Sequence, residues 1–168
     1  FKQGVMSLGL YVEPSHVRSG VVACTGNAFC KFASADTKKH ARLLAERLES
    51  RCPLDQPINI HLTGCPHSCA QHYIGDIGLL ATQVKSEHES VEGYHVFVGG
   101  GFGEHKEIGR QIAKSVHFEE LADHLEGLLL AYMDHRYPDE SFQAFSQRHS
   151  KETLQGWMLL KSATAISG

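Results

Sequence analysis

The sequence predicts an α/β domain of the α+β kind: a mixed β-sheet with flanking helices and a helical C-terminal tail. Three observations predict it. Short stretches that alternate apolar and polar residues, the period of a half-buried strand, are interleaved with stretches whose apolar residues recur at helical spacing. From Phe118 to Met158 the recognisable patterns are all helical. The 168 residues are 42% hydrophobic and 21% charged, which suits one domain with its own core and argues against disorder.

Taken in order, residues 1–19 are short apolar pieces interrupted by Pro14 and Ser15, and they read as a connector that follows some preceding element. Val21-Val22-Ala23 is a short buried strand leading straight into Cys24. A helix capped by Ser34 or Asp36 follows, with Ala41, Leu44, Ala45 and Leu48 as its apolar stripe. It should stop near Cys52-Pro53, because a proline disfavours helix in the residue before it. Ile58, Ile60 and Leu62 alternate with polar residues and form a strand that runs into Cys65. Ile74 to Val84 reads as a third strand, and Tyr94, Val96 and Val98 mark a fourth that ends in the glycine-rich run 99–103.

Phe118, Leu121, Ala122, Leu125, Leu129 and Tyr132 then share one helical face, with Pro138 beyond the helix end. Two shorter helices follow, one carrying Phe142 and Phe145 after Asp139, the other Leu154, Trp157 and Met158 after Ser150. The expected division is a connector over 1–19, a core over 20–136 and C-terminal helices over 137–168, of which the last ten residues carry little pattern.

Charge excludes some functions. The net charge is −3 with histidine neutral, so there is no basic field for a nucleic-acid backbone. No stretch is long and apolar enough for a membrane span. The 12 histidines are scattered and form no His-Glu-x-x-His pair for zinc-protease chemistry. The chain opens Phe1-Lys2-Gln3, without an initiator Met or a charged-then-apolar leader, which reads as an excised piece with no sign of secretion.

The five cysteines carry the chemistry. An odd number without a leader argues against a disulfide framework and points to metal binding in a reducing compartment, the cytoplasm. Cys24 and Cys30 bracket five residues, Cys65 and Cys69 bracket three, and each pair stands where an expected strand ends and a Gly-containing loop begins. Two strands lying near one another would bring both loops to one edge. Four thiolates there suit zinc or an iron–sulfur cluster. The long, unequal spacings favour the bulkier cluster and leave zinc open, as well as a purely structural role for the thiols.

Ala23-Cys24-Thr25-Gly26-Asn27-Ala28-Phe29-Cys30, followed by Thr63-Gly64-Cys65-Pro66-His67-Ser68-Cys69, resembles the cluster signature of the sirohaem-dependent nitrite and sulfite reductases. The likeness extends through Gln71 and Ile77-Gly78-Leu79, and covers the segment from about Val17 to Leu130. It implies that family's 4Fe-4S domain fold. It also implies a [4Fe–4S] cluster held by Cys24, Cys30, Cys65 and Cys69, with Cys69 bridging to the sirohaem iron as its axial ligand. Thr25, Asn27, His67 and Gln71 fall at positions expected to line the cofactors. The Thr25-Gly26-Asn27 version of the first loop looks more like the ferredoxin-type nitrite reductases, so the resemblance favours reduction of nitrite to ammonia. A sulfite reductase or a non-catalytic electron-transfer module stands as the alternative. It further implies a ferredoxin-like donor, a small anion as substrate, and an N-terminal half of the same enzyme that supplies the Arg and Lys residues around the substrate. No catalytic residue other than the Cys69 bridge is then expected in this chain, and alone it should not turn over.

One departure from the family pattern is His67, where Asn is common; a histidine can donate a hydrogen bond to a cofactor carboxylate and can carry charge near neutral pH. Cys52 lies outside both pairs and reads as structural, and His61 and His72 as polar strand or loop residues. The glycines at 99–103 lack the spacing of a phosphate loop and read as a tight turn passing near the cofactors.

Overall fold

The structure, a computed structural model, describes residues 1–86 and 89–160. The end of the expected tail, 161–168, lies outside the described residues. In chain order the elements are α1 (Lys2–Ser7), β1 (Val21–Ala23), α2 (Thr37–Arg51), β2 (Ile60–Thr63), β3 (Ile77–Lys85), β4 (Ser90–Val98), β5 (Arg110–His117), α3 (Phe118–His135), α4 (Phe142–Arg148) and α5 (Lys151–Leu159). The five strands form one sheet in the order β1-β2-β3-β4-β5. β1, β2 and β3 are parallel neighbours, whereas β3, β4 and β5 run antiparallel. The expected mixed sheet with flanking helices and a helical tail is the fold observed.

Two parallel crossovers place the cysteine loops, because each must carry the chain back across the sheet before the next strand can start. Between β1 and β2 the crossover is α2. Asp36 caps it by accepting the Lys39 N–H at 3.2 Å, and it ends where the Cys52 N–H reaches the Leu48 carbonyl. Leu44 and Leu48 are fully buried against the sheet, and each is worth about 1.5–3 kcal/mol of transfer free energy. Between β2 and β3 the crossover is an irregular segment, 64–76, with a 3-10 turn at His72–Ile74. It lies directly on the sheet. A Cβ at Gly78 would stand 1.8 Å from the His72 carbonyl oxygen, so only glycine permits this approach. That turn takes the first residues of the expected third strand, which therefore starts at Ile77 rather than Ile74.

The core runs from Leu44, Leu48, Ile60 and Leu62 through Ile77, Leu79, Tyr94 and Val96 to Leu121, Leu125 and Leu129 of α3. In the tail, Phe142 and Phe145 of α4 pack edge-on to Tyr132, and Trp157 stacks on Phe145 at 5.5 Å. Ser150 caps α5 as expected, but α4 is capped by Ser141 rather than following Asp139 directly. β5 was not expected. Its sequence, RQIAKSVH, buries only Ile112 and carries two cationic residues, so no alternation announces it. Pairing with β4, including register shifts near Val96, makes it a strand.

Candidate metal centre

Because β1 and β2 pair in parallel, they leave the sheet at the same edge. The Cys24 N–H continues the pairing past the end of β1 by donating to the Leu62 carbonyl at 3.0 Å. The first cysteine loop then turns on Gly26, whose φ is +76° and whose carbonyl accepts the Cys30 N–H at 3.0 Å. The Ala33 N–H donates to Cys30 O at 3.1 Å, and the Ser34 N–H to Gly64 O at 2.7 Å. That last bond joins the two cysteine loops. At the same junction the Gly64 N–H points at Cys24 Sγ, 3.1 Å away.

The second loop keeps Cys65 buried and leaves Cys69 exposed, while Cys24 and Cys30 are half-buried. Two non-glycine residues beside Cys69, Ser68 (φ 55°) and Gln71 (φ 52°), hold left-handed backbone conformations, a strain that concentrates at functional sites. His67 reaches both loops: its Nδ1 lies 3.4 Å from Cys65 Sγ, and its ring meets Phe32 edge-on at 5.3 Å. His61 Nδ1 lies 3.2 Å from the Gln71 carbonyl, which can only accept, so that nitrogen carries the proton. His72 Nδ1 pairs with Ser68 Oγ at 2.8 Å, and burial pushes its pKa down. Thr25 and the Asn27 side chain are exposed on the first loop, with Asn27 donating to Glu92 of β4.

Thus the fold gathers both cysteine pairs at one edge, with Cys24 packed against the Gly64-Cys65 turn. Among the described residues, no group of three or more His, Cys, Asp or Glu side chains is close enough to hold a single metal ion. A four-iron cluster would take one thiolate on each iron, so its ligands need not converge on a single point. Three features fit such a group. The donors are soft thiols, the type that selects iron–sulfur clusters. The Gly64 N–H already faces a cysteine sulfur, as backbone donors do around clusters. The Thr63 hydroxyl, fully buried one residue before that glycine, has no hydrogen-bond partner among the described residues, which a buried polar group ordinarily requires.

Several participants were not visible in the sequence. Glu92 stands 65 positions from the Asn27 it binds, and no local pattern links them. Thr37 donates to Cys24 O at 2.8 Å from 13 positions along the chain, with no motif linking the two. Cys52, the residue at which α2 ends, is buried in the apolar core. The glycine run 99–103 is braced by α4, Gln147 donating to Gly99 O at 3.0 Å, and passes close to the 64–76 segment, where a Cβ at Gly100 would stand 2.6 Å from the Tyr73 carbonyl oxygen.

Comparison with known proteins bears on the family and the fold. Residues 15–157 match the family described as the nitrite and sulphite reductase 4Fe-4S domain. The chain is 37% identical over 159 residues to sulfite reductase [ferredoxin] 1 of Mycolicibacterium paratuberculosis, covering 90% of this chain and 29% of that protein. It is 38% identical over 125 residues to the ferredoxin–nitrite reductase of Leptolyngbya laminosa, covering 74% of this chain and 24% of the relative. The solved structure of the Mycobacterium tuberculosis NirA protein superposes with a TM-score of 0.82 at 35% identity, over 90% of this chain and 29% of that one. The chain therefore spans less than a third of the length of these relatives. The match supports both expected cofactors, a [4Fe–4S] cluster and sirohaem. On a fold, a thiol arrangement and a family match that coincide over most of its length, the chain belongs to the nitrite and sulphite reductase 4Fe-4S domain family of oxidoreductases.

Proposed function

We propose that this chain is the iron–sulfur portion of a sirohaem-dependent reductase that converts nitrite to ammonia. Cys24, Cys30, Cys65 and Cys69 are the thiolate ligands of the cluster, and Cys69 is shared with the sirohaem iron. The observation that carries the reading is the parallel pairing of β1 with β2, which sets the Gly64 N–H 3.1 Å from Cys24 Sγ and brings both loops to one edge.

When bound, the coupled cofactors supply single electrons to an anion held at one iron; the chain's own residues position them and tune their potential. The Gly64 N–H stabilises negative charge on the Cys24 sulfur, and Thr63 has a hydroxyl free for the same purpose. Cys69, the exposed member of the four, is the thiol that can reach a second cofactor beyond the edge. His67, beside Cys65, is a donor for a sirohaem carboxylate, and Thr25, Asn27 and Gln71 complete the lining. Phe29 and Phe32 on the first loop are 90% and 58% exposed, which suits an edge that meets the rest of the reductase. That remainder supplies the cations around the substrate anion, and a ferredoxin-like protein is the donor. Thiolate ligands suit the reducing cytoplasm. Among the described residues no helix is long and apolar enough to cross a membrane.

Reduction of sulfite to sulfide is the second reading. It is favoured by the longer match to the sulfite reductase, 159 residues against 125. Assaying the full-length protein on both anions with a ferredoxin-like donor tests the two. A higher kcat/KM for nitrite is expected, since that ratio measures discrimination. A sulfite preference selects the second reading, and a protein that binds no sirohaem overturns both.

A further inference from the structure

Glu92 lies on β4, opposite Gln83 of β3, far from both cysteine loops in sequence. Its carboxylate nevertheless collects three donors. Oε1 accepts from Asn27 Nδ2 at 2.6 Å, and Oε2 accepts from the Asp36 N–H at 3.2 Å and lies 3.2 Å from His40 Nε2. Asn27 stands between Cys24 and Cys30, and Asp36 is where the loop passes into α2. One carboxylate thus ties the middle of the first cysteine loop, and the point where the chain enters α2, to the sheet. Beside it, Gln83 Nε2 holds Ser34 O at 2.6 Å, in the middle of the same segment.

The carboxylate is itself held. A carboxylate only accepts, so His40 Nε2 carries the ring proton. His40 Nδ1 then accepts from the Tyr94 hydroxyl, 2.9 Å away. Burial lowers the His40 pKa, which suits this neutral tautomer. The ring stacks on Phe118 at 3.5 Å and 8°, so it cannot turn away, and Tyr94 and His40 are both buried. A rigid chain runs from the core, Tyr94 to His40 to Glu92, and ends on the loop that carries two cysteines.

We propose that Glu92 is a positioning residue for the iron–sulfur cluster, setting the Cys24–Cys30 loop in its ligating conformation from behind. This rests on the cluster site assigned under the proposed function. Supporting partners behind metal ligands typically govern affinity by about 10- to 100-fold. A negative charge fixed behind the loop also lowers the potential of a nearby cluster.

The test uses the full-length, cluster-loaded protein and follows release of iron to a chelator by loss of visible absorbance. Glu92→Ala should speed release by about tenfold or more. Glu92→Gln should release at nearly the wild-type rate, because Asn27 can turn its amide oxygen toward the new NH2 group. The lost charge should still move the cluster potential to more positive values. Asn27→Asp should speed release by opposing two carboxylates, and adding Glu92→Gln should restore the slow rate by remaking a donor–acceptor pair. A rate for Glu92→Ala within about twofold of wild type overturns the proposal, being well below the effect of such supporting partners. If Glu92→Ala does not fold, the paired exchange decides: rescue supports the proposal and its absence overturns it. Cys24→Ser separates the two levels, since a cluster retained there at full occupancy refutes the site itself rather than the role of Glu92.

Discussion

Gly64→Ala probes the junction between the two cysteine loops. A Cβ at residue 64 would lie 2.6 Å from Ala33 Cβ and 3.3 Å from both Ala33 Cα and Cys24 Sγ. Ordinary van der Waals contact begins at 3.4 Å, so the first loop must retreat from β2 by roughly 1 Å, the kind of overpacking that strains a close-packed site. Retreat lengthens the Gly64 N–H contact to Cys24 Sγ, now 3.1 Å, and the Ser34 N–H bond to Gly64 O, now 2.7 Å. Overpacking of this kind costs about 1–3 kcal/mol, which for a domain of this size lowers the melting temperature by about 2–12 °C. The control is Gly156→Ala on α5, where nothing lies within 4 Å of the added Cβ. Removing a helical glycine there should stabilise by about 0.5–1 kcal/mol. Thermal unfolding of the iron-free protein and the iron content of the loaded protein read the two effects separately. If Gly64→Ala melts with the wild type and binds the same iron, the junction does not position the loops and the reasoning fails.

Three further outcomes are expected. In the full-length enzyme, Cys69→Ser should abolish turnover while Cys52→Ser, buried where α2 ends, leaves it nearly intact; equal losses in the two variants would refute the division of the cysteines. Burial lowers the pKa of His40, opposed by Glu92 and Asp36 and aided by Lys39, and lowers that of His72 as well. The unfolded chain, with histidine near 6.5, then binds protons first as pH falls, so stability is full above about pH 6.5 and declines as pH drops through the folded values. A urea midpoint that holds constant or rises on going from about pH 7.5 to 5.5 would contradict this linkage. Phe145→Ala, which empties a fully buried site between Tyr132, Phe142 and Trp157, should cost about 3–5 kcal/mol by denaturant unfolding, and a cost under about 1 kcal/mol would show the tail packs otherwise.

Much of this molecule is local and therefore legible in its sequence. α2 and α3 announce themselves because an apolar stripe at helical spacing is a property of consecutive residues, as is the proline that ends α2. β2 and β4 show the strand period for the same reason. The cysteine motif is also local: two unequal pairs in glycine-containing loops carry the resemblance that implies an iron–sulfur cluster. β5 is different. Its residues carry little alternation, and it becomes a strand only because the β4 edge offers its backbone partners. Glu92 is different again, since nothing near it in the chain marks it apart from any other strand carboxylate.

What the tertiary structure alone decided is that the two cysteine loops meet, the Ser34 N–H donating to Gly64 O and the Gly64 N–H facing Cys24 Sγ. Cys24 and Gly64 are 40 positions apart, and either loop by itself is only a turn after a strand. They meet because α2 returns the chain so that β2 pairs in parallel with β1, with Ala23 opposite Leu62. Parallel strands end at a common edge, and a shift of one residue in that register would move every β2 side chain to the opposite face of the sheet and carry the cysteine loop that follows it out of line. Residue type determines which metal chemistry is possible; the pairing of distant backbone segments determines whether four such residues can share it.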